Sequence, residues 1–241
     1  MILPLMSIGS ILLIIAGVIL VSLSLFYSSY SIGAGIYVNS LCKKDTKEKV
    51  VTITFDDGPH PEQTPKILEI LSRRGVEASF FCIGENIENN KLLARRIYDE
   101  GHIIGNHSHS HTWKFPWSGY KKMNRDVLFC EKVIEDVTGK RTALFRSPFG
   151  VTNPTVAKMV RSLGYTSIGW SIRSLDTSCR GDTDKTLKRI ERKLRPGSII
   201  LLHDGLPFSD ELLESLLDML SAKGYHIERL DRFLGIEADK E

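Results

Sequence analysis

The chain has 241 residues, of which 32 are Lys or Arg and 29 are Asp or Glu, for a net charge of +3. A net charge so small, without the clustered basic stripe that a phosphate backbone requires, argues against a nucleic-acid partner, while it is compatible with an anionic cell-wall or membrane surface. The four cysteines (Cys42, Cys82, Cys130 and Cys179) form no C-x-x-C pair, so neither a zinc knuckle nor a dithiol redox centre is indicated.

No charged residue or histidine precedes Lys43, and Ile8 to Tyr27 is an apolar run of about 20 residues, long enough to cross a bilayer. Residues 1–30 are therefore read as a single transmembrane anchor. A cleaved signal peptide would normally carry Lys or Arg ahead of its apolar core, and Met1 to Ser7 has neither. Residues 31–49 read as a short polar linker. Every charged residue falls in 43–241, and residues 50–241 have the size of one well-packed soluble domain.

From Val50 onward, short apolar runs alternate with helix-period segments, the pattern of a parallel sheet with helices packed on it. The expected strands are Val50–Phe55, Glu77–Ile83, His102–Gly105, Ala143–Phe145, Thr166–Trp170, Ser198–Leu202 and Tyr225–Glu228. Between them, Ile67, Leu68, Ile70 and Leu71 share one helical face ahead of Gly75, and Leu187, Ile190 and Leu194 share another ahead of Pro196-Gly197. Leu212, Leu213, Leu216, Leu217 and Leu220 mark a last long helix with Gly224 as its stop. The expected fold is a distorted (β/α) barrel of about seven parallel strands.

Reactive residues follow these strands. Asp56 and Asp57 follow the first, Asn106-His107 the third, Arg146 the fourth and His203-Asp204 the sixth, while Asp176 lies shortly after the fifth. Strand ends in such a barrel open onto one mouth, so the separated segments are expected to converge. Two adjacent carboxylates repel each other unless a cation binds one and leaves the other free as a base. In His107-Ser108-His109-Ser110-His111, a helical turn would put His107 and His111 on one face, whereas an extended segment would align all three imidazoles. Either arrangement points to one divalent transition metal, zinc above all, with Asp57 completing the set.

Taken together, these motifs resemble the polysaccharide deacetylase family, the NodB-type carbohydrate esterases, over about Val50 to Leu234. The resemblance rests on Thr54-Phe55-Asp56-Asp57-Gly58-Pro59, His107-Ser108-His109-Ser110-His111, Arg146-Ser147-Pro148-Phe149 and Leu201-Leu202-His203-Asp204, in the family's order. It implies Asp56 as general base, Asp57, His107 and His111 as metal ligands, and His203 as general acid. It further implies Arg146 as the group that orients Asp56 and Asp176 as the carboxylate behind His203. Phe149 would supply a backbone N–H to the oxyanion, and Leu202 would line the slot for the acetyl methyl group. The implied activity is removal of N-acetyl groups from the amino sugars of peptidoglycan or a chitin-like oligosaccharide.

One motif departs from the family pattern. Many members read Asp-x-x-Asp-Trp where this chain reads Arg173-Ser174-Leu175-Asp176-Thr177, so a cation replaces an anion and the aromatic is missing. Arg173 is accordingly expected to face the substrate groove. Two other readings are a hydrolase for a different acyl or amide substrate and a catalytically silent carbohydrate-binding module. Lys43, Lys44, Lys47 and Lys49 next to the anchor favour a cytoplasmic domain by the positive-inside bias, whereas the resemblance favours the external face, which is the expectation adopted.

Overall fold

A computed structural model describes residues 7–178 and 181–240; Cys179, Glu241 and the first six residues of the expected anchor lie outside the described residues. The chain opens with α1 (Ile8–Tyr30), where the Ser7 hydroxyl accepts the Ser10 N–H and so satisfies one otherwise unpaired donor at the helix start. Its 23 residues reach about 35 Å, enough to cross the hydrocarbon core of a bilayer, and its apolar side chains are exposed around the whole helix.

The domain is built from β1 (Val50–Asp56), α2 (Gln63–Arg74), β2 (Ser79–Cys82), α3 (Gly84–Asn89), α4 (Lys91–Asp99), β3 (Ile103–Asn106) and α5 (Tyr120–Thr138). There follow β4 (Leu144–Phe145), α6 (Pro154–Ser162), β5 (Thr166–Ser167), β6 (Ile172–Arg173) and α7 (Thr183–Lys193), then β7 (Ser198–His203), α8 (Ser209–Ala222), β8 (His226–Ile227) and α9 (Leu230–Leu234). The strands lie in the order β5-β4-β3-β2-β1-β7-β6, with β8 against the start of β1 and all pairs parallel. Among the described residues β5 and β6 do not pair, so the curled sheet is an open half-barrel.

Two expectations are corrected here. Thr166–Trp170 is not one strand, because only Thr166–Ser167 pairs with β4 before the chain turns across the opening to pair Ile172–Arg173 with β7. The supposed linker is also not free. Leu41 bridges Ile168 on one side of the opening while Lys43 bridges Ser198 on the other, and Ser40 is buried with its hydroxyl 2.8 Å from that of Ser167. Residues 40–44 thus cover the seam, and their backbone groups find partners there: Leu41 N–H on Ser167 O and Lys44 N–H on Gly197 O, each at 2.9 Å.

The two faces of β1 divide the labour. Val51, Ile53 and Phe55 point outward into a cluster with Ile67, Leu68 and Leu71 of α2 and Leu213, Leu216 and Leu220 of α8. Burying each such side chain favours the fold by about 1.5–3 kcal/mol. Thr54 and Asp56, on the other face by the period of two, turn into the curl. Deeper inside, Leu230 and Phe233 of α9 pack against Phe81, Leu144 and Ile199 and fill it with apolar atoms. The mouth at the carboxyl ends of the strands is what remains for chemistry.

Candidate active site

Asp56 ends β1 beside His203, the last residue of β7, and Asn106 ends β3 beside Phe145 of β4, so the register brings four strand ends together. Arg146, the residue after β4, is wholly buried and has a partner for every nitrogen. Nη1 donates to Asp56 Oδ1 at 2.7 Å and Thr54 Oγ1 at 2.8 Å, Nε to Ile168 O at 3.2 Å and Nη2 to Gly169 O at 3.0 Å. Its guanidinium lies 4.0 Å from the centre of the Phe81 ring. A buried charge so completely satisfied fixes Asp56 in one orientation.

Asp57 enters the turn after β1 with a φ of 74°, the left-handed region that a non-glycine residue adopts only under constraint. That turn brings its Oδ1 to 3.5 Å from Nε2 of both His107 and His111, and the three ligand atoms lie within 4.8 Å of one another. His107 is oriented from behind, since its Nδ1 lies 2.8 Å from Arg146 O and donates to it, leaving the Nε2 lone pair directed at the cluster. Among the described residues, Asp57 Oδ1 and His111 Nε2 are buried polar atoms that find no hydrogen-bond partner. Two imidazoles and a carboxylate with such orphaned atoms fit one borderline transition cation, zinc being the common case.

The histidine segment is neither a helical turn nor an extended strand. Ser108 (φ 68°) and His111 (φ 42°) bend it, and Asp126 of α5 clamps the bend by accepting from the backbone N–H groups of His109 and Ser110 and from the Ser110 hydroxyl. The bend brings His107 and His111 together with ring centres 4.8 Å apart and turns His109 away, edge-on to Phe129 at 4.3 Å and against Gly84, where any Cβ would collide with the imidazole. In this geometry His109 lies outside the Asp57–His107–His111 trio. Asp126 carries no local sequence signal, since its role exists only once α5 packs beside β3.

His203 faces the same space with its Nδ1 2.8 Å from Asp176 Oδ1, and Asp176 Oδ2 accepts the His203 backbone N–H at 2.8 Å. Burial disfavours charge on His203, but its hydrogen bond to Asp176 and the nearby carboxylates outweigh this and push its pKa up to about 9. His111 behaves oppositely: burial, and then repulsion by His107, lower it to about 4, so its ring is neutral near pH 7. Burial also resists ionisation of Asp57, yet the close approach of His107, with His111 and His203 nearby, holds it well below the usual carboxylate range.

These groups line a cavity of about 230 Å³ whose wall also includes Phe149, Gly150, Trp170, Arg173, Thr177 and Leu201. Phe149, at φ 61°, lays its ring 4.6 Å from that of His111, and Trp170 packs so close to Gly150 that a Cβ there would overlap the indole. The expected role of Leu202 is corrected. It belongs to the outward core cluster with Phe55 and Ile200, and it is Leu201, one residue earlier and on the opposite face of β7, that reaches the cavity. Trp170, the last residue of an expected strand, carries no sequence signal of this role.

Residues 43–168 match the family model described as polysaccharide deacetylase. The chain belongs to the polysaccharide deacetylase family. A peptidoglycan-N-acetylglucosamine deacetylase of Bacillus cereus is 33% identical over 192 residues, covering 78% of this chain and 89% of the relative. The peptidoglycan-N-acetylmuramic acid deacetylase PdaA of Bacillus subtilis is 31% identical over 208 residues, covering 82% and 79%. Among solved structures, a peptidoglycan N-acetylglucosamine deacetylase bound to an N-hydroxybenzamide superposes with a TM-score of 0.78 at 27% identity over 83% of this chain and 94% of that one. A family pseudoenzyme from Bacillus anthracis superposes at 0.75 with 27% identity over 81% and 68%. The deacetylase fold thus also carries a pseudoenzyme, and for any one member of the family the argument for activity falls to its side chains.

Proposed function

We propose that this chain is a membrane-anchored, metal-dependent hydrolase that removes N-acetyl groups from the amino sugars of a polysaccharide, peptidoglycan or a chitin-like oligosaccharide. The observation that carries the reading is the meeting, in one cavity, of the Asp57–His107–His111 trio with two separately oriented groups, Asp56 on Arg146 and His203 on Asp176. A pure binding module has no use for both.

Asp57, His107 and His111 would hold the metal. Bound there, a zinc-class ion would act as a Lewis acid and lower the pKa of a water. Asp56, kept from rotating by Arg146, takes the proton of the attacking water. As the tetrahedral centre forms, its oxyanion is met by the backbone N–H of Phe149, a residue of the cavity wall. His203, held protonated by Asp176, then gives its proton to the departing amine. Leu201 and Trp170 supply apolar wall for the acetyl methyl group, and Arg173, also on the wall, is the cation available to the sugar.

The apolar helix α1 supports the anchor, and a cell-wall substrate supports an external domain. Digestion of the domain by protease added to intact cells would agree with that topology; digestion only after lysis would reverse it. The activity is tested by acetate release from a panel of N-acetylated glycans by the full chain, with and without chelator. Chelator-sensitive release is expected. Release from non-sugar acyl substrates alone would favour the different-substrate reading, for which Arg173 is the specific motive.

A further inference from the structure

The end of α1 is not tethered loosely to the domain. Ser28 is buried, Thr152 donates its N–H to Ser29 O at 2.9 Å and its hydroxyl to Ser28 O at 3.2 Å, and Cys42 and Ile32 pack so closely on Gly169 that a Cβ there would overlap the Cys42 sulfur and crowd Ile32. Thr152 belongs to the short turn Phe149–Asn153, which makes two further contacts. At one end Phe149 lies against His111 in the cavity. At the other, Asn153 Nδ2 donates to Pro116 O at 2.7 Å, holding the loop Thr112–Ser118 beside the helix end.

That loop carries Trp113 and Trp117, which are 71% and 72% exposed. Two rings so open to water, in a loop hydrogen-bonded to the turn that holds the end of a helix of membrane length, are unusual for a soluble surface. The charge around them is one-sided. From Thr112 to Arg125 the sequence contains Lys114, Lys121, Lys122 and Arg125 and no Asp or Glu. The Lys114 ammonium lies 5.3 Å from the Trp113 ring centre, and Lys158 adds another cation 4.4 Å from Tyr120. Exposed amphipathic rings in a stretch whose charges are all basic suit the headgroup layer of a bilayer containing anionic lipid. On α1 itself, Tyr27 and Tyr30 stand exposed at the end nearest the domain, at the depth where aromatic side chains mark the interface.

We infer that Trp113 and Trp117 seat the catalytic domain on the bilayer that α1 enters, holding the mouth at His111 and Phe149 against the lipid surface, so that the substrate is an amino-sugar glycan attached to that membrane. This rests on the membrane-anchor reading above and adds to it an orientation and a substrate class. A glycan free in the outer wall would have to reach round the domain, whereas a lipid-linked one arrives at the mouth.

The test uses the full chain reconstituted into phosphatidylcholine–phosphatidylglycerol vesicles, with Trp170→Phe leaving Trp113 and Trp117 as the two remaining tryptophans of three. Flotation with the vesicles reports the anchor, and quenching of tryptophan emission by lipids bearing a nitroxide near the headgroup reports the docking. Co-flotation with strong quenching is expected, and in an otherwise wild-type chain Trp113→Ala/Trp117→Ala should abolish the quenched share of the emission. Co-flotation without quenching overturns the inference and leaves the anchor standing; failure to float removes the anchor and the inference with it. Emission that responds to soluble chitooligosaccharide and not to the nitroxide would make the rings sugar platforms instead and overturn it too. In activity, Trp113→Ala/Trp117→Ala should lower kcat/KM on a lipid-linked N-acetylglucosamine substrate by about tenfold, equivalent to roughly 1.4 kcal/mol of lost docking, and barely change it on a soluble oligosaccharide. Equal loss on both would contradict the assignment.

Discussion

Asp176 grips His203 twice, taking its ring N–H on Oδ1 and its backbone N–H on Oδ2, each at 2.8 Å. One carboxylate therefore sets the tautomer, the orientation and the charge of the ring that faces Asp57. His203 stays protonated until pH rises through about 9, so activity that needs this proton is present below that value and lost above it. Asp176→Asn keeps the shape but removes the charge, and the falling limb of the pH–rate profile should move down by a unit or more, to about the ordinary histidine value or below. An unmoved limb would separate the observed ionisation from His203.

Metal content should follow geometry and not sequence proximity. His111→Ala and Asp57→Asn should each lose most of the bound ion, whereas His109→Ala, whose ring lies against Phe129 and Gly84, should retain it. Elemental analysis of the purified variants decides; equal loss in His109→Ala would restore the three-His site.

Asp56→Asn should keep the metal and lose activity by about 100- to 10,000-fold, the range for a positioned general base. Arg146→Met, by contrast, strands the Asp56 carboxylate in a buried site and should cost about 3–5 kcal/mol of stability, readable by denaturant titration. Combining the two substitutions should recover much of that loss, because the unpaired charge is gone.

Asp204 gives a pH signature of its own. Burial raises its pKa to about 7, while Thr64 Oγ1 donates to it at 2.5 Å. Since the folded state binds the proton more tightly than the unfolded chain, the stability linked to Asp204 is complete below the ordinary carboxylate pKa and declines as pH rises toward about 7. The Tm of Asp204→Asn should gain on wild type across that interval and run parallel above it. A pH-independent difference would show that Asp204 is ionised throughout.

Arg173 stands on the cavity wall, its guanidinium 5.9 Å from the Trp170 ring. Arg173→Ala should raise KM for glycans bearing a carboxylate or phosphate near the acetamide more than for neutral ones. An equal response to both would make the residue structural.

The sequence made the strand ends legible because β1 and β7 stop at a reactive residue and β3 and β4 stop one residue before one, so chain order alone announced Asp56, His107, Arg146 and His203. It could not announce Asp126, which matters only through the packing of α5 on β3, nor the bend at Ser108 and His111 that sorts two histidines from three. Leu201 and Leu202 look alike in one dimension, and only the register of β7 against β1 says which faces the cavity. Strand β6, two residues long, has no pattern to read, and the polar composition of residues 31–49 concealed that five of them close the sheet's open seam.

The central claim, hydrolysis of an N-acetyl amino sugar at a metal held by Asp57, His107 and His111, meets its most direct test in a zinc titration of the chelated full chain with acetate release measured on N-acetylglucosamine oligomers. The account predicts no release at the start and a rise proportional to zinc bound, reaching its plateau at one ion per chain. Full release from the chelated protein, or a plateau of zinc binding with no release from any N-acetylated glycan, would contradict it.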